Sequence, residues 1–317
     1  MAVSRTGGSP ETEEFEALRP RMFGLAYRLL GSAHDAEDVV QDAFLRWQAA
    51  DRAAVRSPWA WLAKVVTNLA LNRLTSAPVR RERYVGQWLP EPVLTTTGVL
   101  GPLETAEQRE SVSLALLVLL ERLKPTERAV YVLREAFGYG HREVADVLGI
   151  TEANSRQIHR RARASLEGAT VASASEISDA DRARWHDLVV RFMAAARAGD
   201  LGGLEQLLTA DVTSWADGGG RVGTARRPVL GRDRVARYLV GGFTRFAAGV
   251  DVVFDEVNGV PAVLALVGGA VFGVLVPEFS GGRISALRII ANPDKLVFIA
   301  RQSATVSHPA GSPGSHR

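Results

Sequence analysis

The chain has 317 residues, 46% of them hydrophobic and 23% charged, with no cysteine and a formal net charge of +3. That length suggests about two domains, with three small ones open, and the hydrophobic content lies far from the disordered regime. No apolar run approaches the ~18 residues of a membrane span, the first residues lack a signal-peptide layout, and the missing cysteines exclude disulfides, thiolate nucleophiles and Cys-ligated metals. Six scattered His with no HExxH argue against a metal site, so neither metal nor cofactor is expected, and a cytoplasmic multidomain protein is. Of the 38 basic residues only Lys64, Lys124 and Lys295 are lysine. Residues 1–170 carry 22 basic and 21 acidic residues, and 171–317 carry 16 and 14. Any nucleic-acid face must therefore come from clustering rather than from net charge.

Residues 1–10 read as a disordered leader. From 11 to about 170 apolar residues recur at three- and four-residue steps, which predicts helices almost throughout. In DAEDVVQDAFLRWQAA (35–50), Val39, Val40, Ala43, Phe44 and Trp47 share one core-facing arc. Asp35, Asp38, Gln41 and Asp42 lie opposite, with Leu45 among them. An apolar residue set in a carboxylate face has the character of a partner surface, although a solvated face with one stray Leu has the same pattern. Ser57 and Pro58 then signal a helix start. Lys64, Asn68 and Asn72 follow at i, i+4, i+8, beside Trp59 and Trp61. With Arg80, Arg81 and Arg83 after that helix, cations, amides and aromatics interleave in a way that suits melted DNA. Three prolines and three glycines in GQWLPEPVLTTTGVLGP (86–102) mark a linker.

A second helical module occupies about 108–168. HREVADVLGITEANSRQIHRRARASL reads as helix–turn–helix, with Gly149 and Ile150 at the turn and Thr151 capping the second helix. That helix has a single narrow apolar stripe of Ile158, Ala162 and Leu166. No acid falls between Glu152 and Glu167, while four arginines fall within residues 156–163. This is the pattern of a major-groove recognition helix. Asn154, Arg156 and Gln157 are residue types that read base edges, and the later arginines suit phosphates. A polar hinge is expected at 168–180. Beyond it come helical stretches at 181–199, 201–208 and 231–243, then strand-like runs VDVVFDEV, AVLALV, AVFGVLV and RISALRIIA with glycine pairs between them, which together predict an α+β domain with a curved sheet.

The ordered pair of modules over 11–168 resembles regions 2 and 4 of a group IV, or extracytoplasmic function (ECF), RNA polymerase sigma factor. The fold class expected is thus multidomain: two all-α modules, region 2 (11–83) and a region 4 helix–turn–helix (108–168), joined by a linker (84–107), then an α+β NTF2-like cone (181–305) and a disordered tail (306–317). The resemblance implies that Asp35, Asp38, Gln41, Asp42, Leu45 and Arg46 bind core polymerase through the β′ coiled coil, region 4 meeting the β flap. It assigns Trp59, Trp61, Lys64, Asn68, Asn72, Arg73, Arg80 and Arg81 to the −10 DNA. Asn154, Ser155, Arg156, Gln157, His159, Arg160 and Arg161 are assigned to the −35 DNA.

Residues 181–305 are similar to a SnoaL-like domain, and a subgroup of ECF sigma factors with this extension shares three motifs. They stand here as Trp88-Leu89-Pro90-Glu91-Pro92, Asp217-Gly218-Gly219-Gly220-Arg221 and Asn292-Pro293-Asp294-Lys295-Leu296, with Arg at 221 where the subgroup has Lys. That exchange keeps the charge but changes the hydrogen-bond geometry. The second and third motifs read as loop surface. The resemblance implies control in cis, with no separate anti-sigma protein required and a small ligand in the cone left open. Two alternatives stand beside it: a helix–turn–helix regulator acting without polymerase, and an isomerase or cyclase. The second is weakened by sparse acids and by the absence of His between 187 and 307.

Overall fold

The computed structural model describes residues 10–82, 84–101, 110–166, 179–246 and 249–307. The expected leader, Arg83, the hinge and the tail fall wholly or mostly outside them. The described residues form two compact units. One holds those up to 79, with 98–111 and 119–169; the other holds 80–97, 112–118 and those from 170 onward.

In the first unit, α1 (Pro10–Leu30) and α2 (Ala33–Gln48) form an antiparallel pair. Ser32 caps α2 by accepting the Asp35 N–H at 3.1 Å, and the acid in the first turn suits the helix dipole. The predicted stripe of Val39, Val40, Ala43 and Trp47 is buried, and Phe44 meets Phe15 of α1 with ring centroids 4.8 Å apart. Helix α3 (Pro58–Glu82) starts with Ser57 Oγ accepting the Ala60 N–H at 3.4 Å. Its Trp61 ring lies 5.6 Å from Trp47. The helix continues through Arg80 and Arg81, rather than ending before them. Helix α4 (Leu114–Leu120), apolar on every side and mostly buried, belongs largely to the second unit.

Helices α5 (Pro125–Glu135), α6 (His141–Leu148) and α7 (Glu152–Leu166) build the helix–turn–helix. Gly149 ends α6 in the left-handed conformation (φ 66°), which a side chain would strain. Thr151 Oγ1 then accepts the Asn154 N–H at 3.2 Å, starting α7 at the predicted cap.

The second unit places α8 (Asp179–Ala198), α9 (Leu201–Leu207) and α10 (Arg232–Phe246) against a six-stranded sheet. Its strands are β1 (Leu208–Asp217), β2 (Val229–Leu230), β3 (Val250–Val257), β4 (Val260–Val267), β5 (Ala270–Ser280) and β6 (Arg283–Ile290), in spatial order β2-β1-β6-β5-β4-β3. Only β1 and β6 run parallel. Register shifts at Ala265/Leu266 and Glu278/Phe279 curve the sheet around a core of Phe192, Leu204, Val235, Leu275 and Leu287. Helix α11 (Pro293–Ser307) follows β6. Strand β1 and helix α11 lie outside the predicted elements. The segment TADVTSWAD is broken by acids and pairs with two-residue β2 and with distant β6, while Asn-Pro-Asp has the composition of a turn but here supplies the first helical proline.

Candidate polymerase, promoter and linker sites

On α2, Gln41 and Arg46 are exposed, and Leu45 is 56% exposed. Asp35, Asp38 and Asp42 are brought together around one guanidinium. Arg73 of α3 reaches Asp35 Oδ1 at 3.3 Å, Asp38 Oδ2 at 3.2 Å and Asp42 Oδ2 at 3.4 Å. A residue expected at the −10 DNA thus sits among residues expected at polymerase.

Lys64, Asn68 and Asn72 lie exposed along one face of α3, as their spacing requires, and Trp59 and Trp61 are half-buried. Trp59 is enclosed: its ring stacks on Phe137 at 5.9 Å, and the Arg21 guanidinium lies 3.9 Å above it. Arg28 lies over the other aromatic, 5.3 Å from the Phe137 centroid. Arg28 is itself buried, donating to Ser111 Oγ and the Gly24 carbonyl, and burial lowers its pKa to about 10. Arg128 of α5 donates to the Leu29 carbonyl and to Glu121, both at 2.9 Å, with burial again lowering its pKa to about 10. Within the first unit the two helical modules are therefore joined by buried arginines. Nothing in an arginine-rich sequence singles out Arg28 or Arg128. The side chains of Arg80 and Arg81 lie outside those described.

On α7, Asn154, Arg156, Gln157, Arg160 and Arg161 are exposed. Two expected −35 readers sit differently. Ser155 is fully buried, with its hydroxyl 3.1 Å from His141 Nδ1, because it falls on the seam one turn before Ile158. His159 is half-buried, with Nε2 2.6 Å from Glu135 Oε1.

The three extension motifs converge in the second unit; Gly220, Arg221 and Asp294 lie at the surface as expected, but Asp217, Asn292 and Lys295 do not. Asp217, the last residue of β1, is fully buried, and Asn292 and Lys295 are 4% and 7% exposed. The Asp217 carboxylate accepts from the Tyr84 hydroxyl, from Gly219 N at 3.1 Å, from Leu89 N at 2.9 Å and from Lys295 Nζ at 2.7 Å. Lys295 also donates to the Leu89 carbonyl, and its ammonium lies 4.2 Å from the Trp88 ring and 4.8 Å from Tyr84. Asn292 Nδ2 donates to Tyr84 Oη at 2.8 Å. Burial, then Asp217, hold the Tyr84 phenol above its ordinary value. Gly219 has φ 59°, and a Cβ there would stand 2.5 Å from the Asn292 amide, so this turn requires glycine twice over. Arg221 and Asp294 form a 2.9 Å ion pair in the open. Leu89, Pro90 and Pro92 are buried, with Glu91 half-buried.

Downstream, Val93 N donates to Asn258 Oδ1 at 3.1 Å and Asn258 N to the Val93 carbonyl at 3.0 Å. Leu94 bridges to Val257 of β3 and donates to Gln302 of α11 at 2.9 Å. Asn258, the one non-glycine with positive φ among the described residues, also donates to the Val112 carbonyl at 2.7 Å. Residues 84–97 are thus a strap clasped by the C-terminal domain. The partners Tyr84, Asn258 and Gln302 lie outside every motif, and no local pattern marks them.

A buried strap, a helix–turn–helix with an arginine face and an acidic helix bearing an exposed Leu define a class. The chain belongs to the ECF RNA polymerase sigma factors, transcription initiation factors that direct core polymerase to promoters. The family models for sigma-70 region 2 and sigma-70 region 4 match residues 15–78 and 113–166. The chain is 41% identical over 296 residues to the ECF RNA polymerase sigma factor SigJ of Mycobacterium tuberculosis, spanning 90% of this chain and 93% of that one. It is 32% identical over 290 residues to the probable ECF RNA polymerase sigma factor SigI of the same species, over 90% and 95%. The crystal structure of M. tuberculosis SigJ aligns with a TM-score of 0.70 at 36% identity, covering 90% of this chain and 98% of that one. That likeness supports the NTF2-like extension.

Proposed function

We propose that the C-terminal domain of this sigma factor controls its two DNA-binding modules in cis by holding the chain segment that joins them. Region 2 (11–83) and region 4 (108–168) can separate only as far as the linker between them allows. The observation that carries the reading is the buried pairing of Lys295 with Asp217 and Leu89, which fixes that segment to the C-terminal domain. The stack of Arg21, Trp59 and Phe137 supports a closed resting state, because it covers an aromatic side chain needed at the −10 element. In the open state the α2 face around Leu45 and Arg46 meets the β′ coiled coil, and region 4 meets the β flap. Lys64, Asn68 and Asn72 contact −10 DNA, together with Arg80 and Arg81. Asn154, Arg156, Gln157, Arg160 and Arg161 contact −35 DNA. The extension takes the place of a separate anti-sigma protein and performs no chemistry, and the protein acts in the cytoplasm.

Run-off transcription with core polymerase tests this. The full-length Lys295→Met chain, freed at the strap, is expected to give more transcript than the parent at limiting core, and a chain ending near residue 180 likewise. Equal output and equal core affinity for parent, variant and truncated chain would remove the cis-control reading. Specific duplex binding without core would instead favour a helix–turn–helix regulator.

A further inference from the structure

The second unit contains a cavity of about 420 Å³ lined by α8, α10, the turn after β1 and strands β3 to β6. Native interiors hold few voids larger than a water molecule, because unfilled space forfeits dispersion contacts along its whole lining. A cavity of this size falls among small-molecule sites, at about 300–1,000 Å³. Its walls are aliphatic and aromatic, among them Val252, Val263, Leu275, Ile289 and Phe272. Among the described residues, the charged side chains lining it are Arg237 and Arg245, with no carboxylate or imidazole. Such a lining suits holding a molecule rather than acid–base chemistry. Gly241 and Gly242 of α10 also line it and meet open space where side chains would stand.

Two parts of the wall are bonded to the strap's anchor. Val222, Gly223 and Thr224 line the cavity, and the Arg221 and Val222 N–H groups donate to the Gly218 carbonyl at 2.9 and 3.1 Å. A Cβ at Gly218 would stand 2.6 Å from Thr224 Oγ1, so this turn has no slack. Ala291 also lines the cavity, and its N–H donates to the Asp217 carbonyl at 2.8 Å.

We propose that this cavity binds a small apolar molecule with one anionic head, of the medium-chain carboxylate class, and that its occupancy is transmitted to the strap through Asp217. The chain lies among the aliphatic walls and the head meets Arg237 and Arg245. Arg237 pairs with Asp233 at 2.8 Å on an exposed helix face, where exchange of one carboxylate for another costs little. The ligand acts on the strap only through different affinities for its held and released forms, and by reciprocity release of the strap changes ligand affinity by the same factor. The coupling rests on the cis-control reading above; the binding does not.

Calorimetric titration of the full-length chain with decanoate and with decanol tests the site. Saturable one-to-one binding is expected, with decanoate about tenfold tighter, the scale of one charge-assisted hydrogen bond. Ala265→Trp fills the cavity and is expected to abolish both. Arg237→Gln with Arg245→Gln, at exposed positions, is expected to weaken decanoate to the decanol level and leave decanol unchanged; this pair carries the test if Ala265→Trp fails to fold. Absence of saturable binding, or binding retained by a folded Ala265→Trp chain, overturns the site. Equal affinities for acid and alcohol overturn the anionic head. Hydrogen exchange at the Leu89 amide is read with and without decanoate, and decanoate affinity is measured in Lys295→Met. If neither moves, the coupling fails while the site stands, and no transcription assay enters either result.

Discussion

The strap's anchor and the recognition helix both concentrate charge, but they use it in opposite ways. At the anchor, Asp217 and Lys295 are out of water, and their contacts with Tyr84, Trp88 and Leu89 lie within the second unit. On α7, Arg156, Arg160 and Arg161 point into solvent, and Arg156 has only an exposed pairing with Glu152. Buried charges cost desolvation and are tolerated only when partnered from all sides, so they specify one chain path. Exposed arginines contribute little to folding and keep their electrostatics for phosphates. The near-neutral total of +3 conceals this division: the arginines at 156–163 face outward, Asp35, Asp38 and Asp42 gather around Arg73, and Asp217 and Lys295 cancel out of water.

The sharpest way to break the contrast is to remove one buried partner. Asp217→Ala leaves Lys295 buried without its carboxylate and is expected to cost the second unit about 3–5 kcal/mol in a denaturant titration. Adding Lys295→Met is expected to recover part of that loss, since the uncompensated charge is gone. Lys295→Arg is expected to destabilise as well, because a planar guanidinium does not fit the space between Trp88, Tyr84 and the Leu89 carbonyl. Asp217→Ala within ±0.5 kcal/mol of the parent would erase the distinction between the two regions.

Tyr84 supplies a smaller effect with a defined pH window. Its folded pKa is raised, by burial first and Asp217 next, above the unfolded value of about 10. The unfolded chain therefore loses the phenol proton before the folded one. The stabilisation is fully present below about pH 10 and is lost as pH rises toward the folded value. The denaturation midpoint is expected to fall above about pH 10, and to fall less in Tyr84→Phe. Tyr131 and Tyr139 are shifted the same way, so the difference between parent and variant isolates Tyr84.

What was legible in the sequence follows from how local the signal is. Stripes, caps and turn glycines involve neighbours three or four residues apart, so α2, α7 and the Gly149 turn were readable from residue spacing. The exposed stripe of Lys64, Asn68 and Asn72 was readable for the same reason. The anchor was not, because its contacts join residues 78 to 208 positions apart. Asp217 looked like a turn residue, since three glycines follow it and nothing local reveals that it ends a buried strand. Ser155 shows the converse error: its residue type suits DNA, but one turn along the helix from Ile158 it faces inward.

On α7 the expected effects leave folding untouched. Arg160→Ala is expected to change stability by less than about 0.5 kcal/mol. It is also expected to lower the slope of log affinity against log salt by about one for holoenzyme on promoter DNA, as loss of one phosphate contact requires. A stability loss comparable to that of Asp217→Ala would mean the helix face is structural.

The smallest effect is expected at Arg221, where the motif's usual Lys is replaced. Its guanidinium meets Asp294 at 2.9 Å, with both side chains more than 60% exposed. An exposed pair of this kind contributes about 0–1 kcal/mol, and a lysine ammonium can make the same single contact. The compact ammonium that the strap requires comes from Lys295, 74 residues further along the chain. Arg221→Lys is therefore expected to leave both the denaturation midpoint and Leu89 amide exchange at parental values. The same lysine–arginine exchange is thus costly at 295 and silent at 221, two positions within one motif-bearing surface. Equal losses at both would show that residue type, rather than burial, decides where charge holds this chain.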